Sequence, residues 1–265
     1  MRVSSREDIP RAHRVVVKVG SSSISGENVH QIKTVVDALA EMHSRGTEVV
    51  LVSSGAMATG FPYINLTSRP TDLPTLQAAA AVGQSRLMVR YQELLDNFDI
   101  VAGQVLLTSG DFENDSTRSN AALAMEKLLE LRVLPIVNEN DTVATQEIRF
   151  GDNDHLAALV AQLVQADVLV LLSDVDGIYT KPPHEPGAQR IENVPFGHLL
   201  DHVEFGTVGS AGVGSGGAGT KAAAAQFAAQ TGTSVLITDA ALVSSALRGE
   251  NVGTWFDAAS SIDHL

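Results

Sequence analysis

Short runs of valine, leucine and isoleucine constrain the fold of this chain more than any other feature. They are Val15-Val16-Val17-Lys18-Val19, Glu48 to Val52, Ile100 to Leu107, Val133 to Val137, Asp167 to Leu172, Ser234 to Thr238 and Gly253 to Phe256. Most are continuously apolar rather than alternating, so each strand must meet apolar neighbours on both faces. Between them lie segments of helical period. In Val29 to Ser44, the residues Val29, Ile32, Val35, Val36, Leu39 and Met42 share one face. Leu76 to Leu95, Ser116 to Leu131, His155 to Gln165, Ala222 to Gln230 and Ala241 to Arg248 also read as helices, and Pro195 to Val203 as a short one. Strand and helix alternate, which predicts an α/β fold: a mainly parallel sheet with helices on both faces. Val143 to Phe150 alternates as a small hairpin does.

Composition narrows the chemistry. Of 265 residues, 44% are hydrophobic but only 5% aromatic, so the core is aliphatic. The absence of cysteine excludes disulfides, thiolate metal sites and a cysteine nucleophile. A formal charge of −13 repels nucleic acid and anionic membranes, and it requires a locally positive pocket for any anionic substrate. Met1 to Arg14 has no apolar leader core, and no run approaches the ~18 apolar residues of a spanning helix. The expectation is a soluble, cytoplasmic protein with no nucleic-acid or membrane partner. Its parts are a flexible lead-in over 1–13, one domain over 14–256 and a tail over 257–265.

Polar residues gather where strands end: Gly20 to Ser23, Ser53 to Gly55, Asn138 to Asp141, and Ser173 with Asp174. Strand C-termini are where open α/β sheets bind ligands. Each cluster alone is also ordinary cap or turn chemistry. Gly206 to Lys221 is the most biased stretch, and the helix Ala222 to Gln230 follows it. It reads either as a phosphate-cradling loop or as a flexible linker. Lys18, inside an apolar strand, is either a snorkelling edge residue or a buried cation. Asp152 and Asp154 flank Asn153 before a helix, as caps or as site carboxylates. Gly212, Gly214 and Gly217 satisfy G-x-G-x-x-G with Asp239 after the next strand, a weak dinucleotide signal because no clear strand precedes it. No Gly-x-Ser-x-Gly or His-Glu-x-x-His occurs, and the acidic runs lack calcium-loop spacing.

Taken together, Val16-Val17-Lys18-Val19-Gly20-Ser21-Ser22, Val52-Ser53-Ser54-Gly55-Ala56, Val137-Asn138-Glu139-Asn140-Asp141, Gly151-Asp152-Asn153-Asp154, Leu172-Ser173-Asp174-Val175-Asp176-Gly177-Ile178-Tyr179 and Gly214 to Lys221 occur in an order that resembles the amino acid kinase family, its glutamate-phosphorylating members in particular. The resemblance runs from about Arg14 to Phe256. It implies a three-layer α/β/α sandwich around a mainly parallel sheet of about eight strands. It implies ATP and Mg2+ as cofactors, with L-glutamate phosphorylated on its γ-carboxylate as the first step of proline biosynthesis. Lys18, Lys221 and Asp154 would be catalytic, the lysines on the phosphoryl group and Asp154 orienting both. Ser54, Asp141 and Asn153 would bind glutamate, with Asp141 near its amino group. Lys18, Gly20, Ser21, Ser173, Asp174, Ser215, Gly216, Gly217, Ala218, Gly219, Thr220 and Lys221 would bind ATP, and Mg2+ would travel on the nucleotide rather than on protein side chains. The resemblance also implies a homo-oligomer, dimer or tetramer, and proline as a feedback inhibitor. Siblings acting on acylglutamate, aspartate or UMP are the alternatives, with a dehydrogenase or a non-catalytic nucleotide sensor behind them. Lys181-Pro182-Pro183 stands where Asp-Pro is more usual. The PUA domain carried by many bacterial members is expected to be missing.

Overall fold

The computed structural model describes residues 3–143, 153–201, 203–205 and 217–259. The strands are β1 (Arg14–Val19), β2 (Glu48–Ser53), β3 (Ala102–Leu107), β4 (Leu134–Glu139), β5 (Val168–Ser173), β6 (Asn193–Val194), β7 (Ser234–Asp239) and β8 (Thr254–Phe256). They form one eight-stranded sheet in the order β3-β4-β2-β1-β5-β7-β8-β6. All pairs from β3 through β7 are parallel; β8 runs antiparallel to β7, and β6 parallel to β8. The chain leaves β1 to build β2, β3 and β4 on one side, then returns to lay β5 against the other side of β1. The strand order therefore reverses at β1, and a crevice opens there beyond the strand ends.

The helices are α1 (Ser21–Ile24), α2 (Gln31–Ser44), α3 (Ala56–Gly60), α4 (Leu73–Leu95), α5 (Ser109–Glu113), α6 (Asp115–Glu130), α7 (Asn153–Leu163), α8 (Ala218–Gln230) and α9 (Val243–Leu247). They cover both faces, as the continuous apolar strands require. Val15, Val17 and Val19 pack with Ile32, Val35 and Leu39 of α2, Leu87 and Tyr91 of α4 and Val243 of α9. Val16 packs on the opposite face, with Leu156 and Val160 of α7 and Ala225 of α8. Because side chains alternate along a strand, Lys18 shares the face of Val16 and points under α7 and α8. Both helices are lined with alanine, including Ala157, Ala158 and Ala161 on α7 and Ala222, Ala225 and Ala228 on α8. Small side chains let the two axes approach closely, and their N-terminal turns converge over β1.

Several expectations need correction. The lead-in over 1–13 is held rather than loose in its described part. Arg6–Arg11 is a 3-10 helix, Ile9 is wholly buried, and Arg6 donates to the carbonyls of Glu192 and Val252. One isoleucine with a buried guanidinium anchors a segment whose overall polarity suggested solvent. The tail is also held as far as it is described, with Ala259 N–H donating to Ala229 O at 2.9 Å. Pro195 to Val203 forms successive turns in place of a helix over its described residues, because Gly197 at φ 76° breaks the helical path. Val29 lies in the 3-10 turn Gly26–His30 and is 40% exposed, off the buried face of α2. The hairpin of Val143 to Phe150 lies outside the described residues, apart from Val143.

Candidate active site

The site forms at the C-terminal ends of β1, β2, β4 and β5, on both sides of the switch point. Lys18 enters from β1, Asp154 from the first turn of α7 and Lys221 from the first turn of α8. The Lys18 ammonium lies 2.6 Å from Asp154 Oδ1, and that of Lys221 lies 3.2 Å from Asp154 Oδ2. All three side chains are buried, Asp154 completely. Burial alone would push the Asp154 carboxyl up; the two lysines outweigh burial and hold it below its ordinary value. One carboxylate thus bridges two ammonium groups, which leaves an excess positive charge inside an acidic protein. The N-termini of α7 and α8 add partial positive charge at the same place. An anion of more than one negative charge suits such a field.

Gly20 follows Lys18 and caps α1; a Cβ placed on it would stand 3.5 Å from Lys18 Nζ, so its backbone borders the ammonium. Ser21 opens α1, and Ser23 Oγ reaches Ser173 O at 3.5 Å, tying this turn to the end of β5. A cavity of about 360 Å³ is lined by Ser173, Asp174, Tyr179, Lys181, His184, Phe205, Gly217, Ala218 and Lys221, among others. Lys221 lines this cavity and links it to the charged centre. Thr220 uses its hydroxyl locally, on Gly217 N at 3.0 Å and Gly217 O at 2.9 Å. Gly219 lies beside the Phe205 ring.

On the other side, Asn153 Nδ2 donates to Ser54 Oγ at 3.1 Å, Ser53 O at 3.1 Å and Asn138 Oδ1 at 2.8 Å. Asn138 Nδ2 donates to Gln84 Oε1 at 2.8 Å, and Gln84 Nε2 to Gln104 Oε1 at 3.0 Å. Asp141 lies beside this relay. Burial, reinforced by Glu139, pushes its carboxyl up to about 7. Among the described residues no cation pairs with this carboxyl, and an ammonium group would supply one.

The structure brings Lys18, Lys221 and Asp154 into direct contact, and joins Ser54 to Asn153. It sets Ser173, Asp174, Gly217 and Ala218 around one cavity. Ser215 and Gly216 lie outside the described residues, as do Gly151, Asp152, Gly212 and Gly214. Asp239 caps the 3-10 turn Ala240–Leu242, accepting from Ala241 N–H at 2.7 Å, which gives the dinucleotide alternative no support. Sequence reasoning missed Gln84, whose signal was one amide-bearing residue beside a run of alanines. It also missed Tyr179 and His184 as cavity residues, where no local pattern marks them. Among the described residues no three acidic or histidine side chains gather into a metal cluster.

The sequence pattern described as amino acid kinase family matches residues 13–239. The chain is 65% identical over 259 residues to a protein named glutamate 5-kinase from Leifsonia xyli subsp. xyli, covering 98% of this chain and 96% of that one. It is 66% identical over 256 residues to a glutamate 5-kinase from Clavibacter michiganensis subsp. michiganensis, covering 97% and 98%. A solved carbamate kinase from Giardia lamblia bound to AMP-PNP superposes with a TM-score of 0.66 at 16% identity, covering 94% of this chain and 100% of that chain, which is a likeness of fold.

Proposed function

The chain belongs to the amino acid kinase family, and from that footing we propose that it transfers the γ-phosphoryl group of ATP to the γ-carboxylate of L-glutamate. The products are L-glutamyl 5-phosphate and ADP, at the first step of proline biosynthesis. The observation that most directly supports the chemistry is the pair of buried ammonium groups on one carboxylate at the switch point of the sheet.

The nucleophile needs no general base, because a glutamate side chain has an ordinary pKa near 4.3 and is ionised at neutral pH. The difficulty is to bring two anions together. A γ-carboxylate oxygen attacks the terminal phosphorus as the bond to the β,γ-bridging oxygen breaks, and negative charge spreads over the phosphoryl oxygens. Lys18 and Lys221 meet that charge from two sides, already placed and desolvated, so little reorganisation is needed in the transition state. Asp154 sets the spacing of the two cations. Gly20, Ser21, Ser173, Asp174 and the loop 215–221 hold the nucleotide. Ser54 and Asn153 hold glutamate, with Asp141 beside its ammonium. The proposal has the magnesium ion arrive on the triphosphate, with Lys18 and Lys221 beside the phosphoryl oxygens. When bound, Mg2+ neutralises further phosphate charge.

Hydroxylamine trapping tests the reaction. ATP-dependent hydroxamate with glutamate is expected; turnover of aspartate, N-acetylglutamate or UMP instead would reassign the acceptor. The proposal includes a dimer or tetramer and proline as a feedback inhibitor, which sedimentation and a proline titration of the same assay test. It also includes a cytoplasmic setting; no helix among the described residues is long and apolar enough to cross a membrane.

A further inference from the structure

Gln84 sits at a buried position of α4, an amide among small apolar neighbours. It is the middle of a chain of amides that starts at Gln104 on the edge strand β3 and ends at Asn153 in the site. An amide side chain has no intrinsic preference for which end points where; its partners decide. Here two backbone groups fix the direction. Glu139 N–H donates to Asn138 Oδ1 at 2.8 Å, so the oxygen of Asn138 must lie on that side and its nitrogen must face Gln84. Ser53 O can only accept, so the nitrogen of Asn153 must face it. Each amide in the chain therefore donates outward, away from Asn153. The inner end of the chain is Asn153 Oδ1, a buried acceptor with no partner among the described residues.

A buried carbonyl oxygen without a donor is destabilising until a ligand supplies one. We infer that Gln84, braced by Gln104, is a positioning residue for the amino-acid substrate. It holds Asn138, and through it Asn153, so that Asn153 offers its carbonyl oxygen to the substrate α-ammonium. Two further features agree. Gln84, Gln104 and Asp141 border one cavity of about 260 Å³, so the relay flanks the carboxylate assigned to the same ammonium. Gly83 fixes the height of Gln84, because a Cβ there would stand 1.7 Å from Ala56 O. α4 therefore rests backbone to backbone on α3, just past Ser54. This inference rests on the glutamate assignment above.

The test is Gln84→Met, which keeps the volume and removes both hydrogen bonds. KM for glutamate should rise about tenfold, the loss of one charged hydrogen bond. kcat and KM for ATP should stay within about twofold. The inhibition constant of glutarate, the same dicarboxylate without its ammonium, should also stay within about twofold. A purely structural role would weaken glutamate and glutarate alike, and that result overturns the inference. Gln104→Met, at an exposed strand position, should shift KM for glutamate in the same direction by about threefold; an unchanged KM there also overturns it, and this variant decides the matter if Gln84→Met does not fold. Failure of the wild-type enzyme to use glutamate would sink the assignment above instead, so the two failures are separable.

Discussion

Strand β1 carries a buried basic residue at each end, and the two are treated in opposite ways. Arg14, at the start, has more acceptors than it needs. Its guanidinium contacts Glu48 at 2.6 Å, Glu126 at 3.0 Å and the Val164 carbonyl. Burial alone would lower its pKa, but the hydrogen bonds it donates to Glu126 and Glu48 reverse the sign and raise it. Lys18, four residues on, shares the Asp154 carboxylate with a second lysine. Two carboxylates serve one cation at the bottom of the sheet, and one carboxylate joins two cations at the top. The lower cluster is complete within the protein. In the upper cluster two ammonium groups share one carboxylate, and the triphosphate of the proposed reaction would add negative charge there. Buried charge left uncompensated costs stability and is found where a ligand completes it.

Exchanging the roles of the two ends would break this contrast. Lys221→Met and Lys18→Met should each lower kcat by about a thousandfold, since a preorganised donor to a developing charge is worth that much. Neither should lower the melting temperature markedly, because Asp154 keeps one partner. A loss of folding with retained activity per folded molecule would contradict the assignment. Asp154→Asn should lose about a hundredfold in kcat and also destabilise the fold, as two ammonium groups then face each other without an anion. Arg14→Met should do the reverse: cost about 2–4 kcal/mol in denaturant unfolding and leave kcat within about twofold.

Asp141 sharpens the comparison further, because it is a buried carboxyl with no cation beside it among the described residues. Its folded-state pKa of about 7 lies above the ordinary 3.8, so the folded protein binds this proton more tightly than the unfolded chain does. Stability from this residue is therefore lost as pH rises from about 4 to about 7, and the penalty is constant above that. Asp141→Asn should raise the melting temperature at pH 8 and leave it unchanged at pH 4. It should nonetheless raise KM for glutamate by tenfold or more. In the wild type, KM for glutamate should climb as pH falls through about 7, as the carboxylate that receives the ammonium is protonated. A pH-independent KM between 6 and 8 would remove Asp141 from the amino-group site.

The central strands were legible because their runs are apolar on both faces, and the polar strand ends followed from the same boundaries. Lys18 stood out for the same reason, as a charge in an aliphatic run. Its direction was not legible: that Lys18 and Lys221 reach one carboxylate depends on strand parity and on alanine-lined helices closing over it. Gln84 was hidden for a related reason. Asn138 was legible as part of a polar strand end, but its link to Gln84 was not: their partners sit on four separate elements, and nothing local distinguishes a relay amide from a surface one. The first residues were misjudged because their composition is polar, whereas their anchoring rests on Ile9 and the reach of Arg6 to the far edge of the sheet.

Lys18 also has a consequence for how the sheet assembles. Its neighbours in register are Val52 on one side and Leu171 on the other, and the side chains immediately before and after it enter the opposite aliphatic layer. A slip of β1 by one residue would drive an ammonium into that layer, with no counter-ion there to meet it. Valine repeats as uniform as Val15-Val16-Val17 offer little to choose between alignments. The residue proposed to meet the phosphate would thus also serve as the proofreading mark of the innermost strand, disfavouring mispaired sheets before any nucleotide arrives.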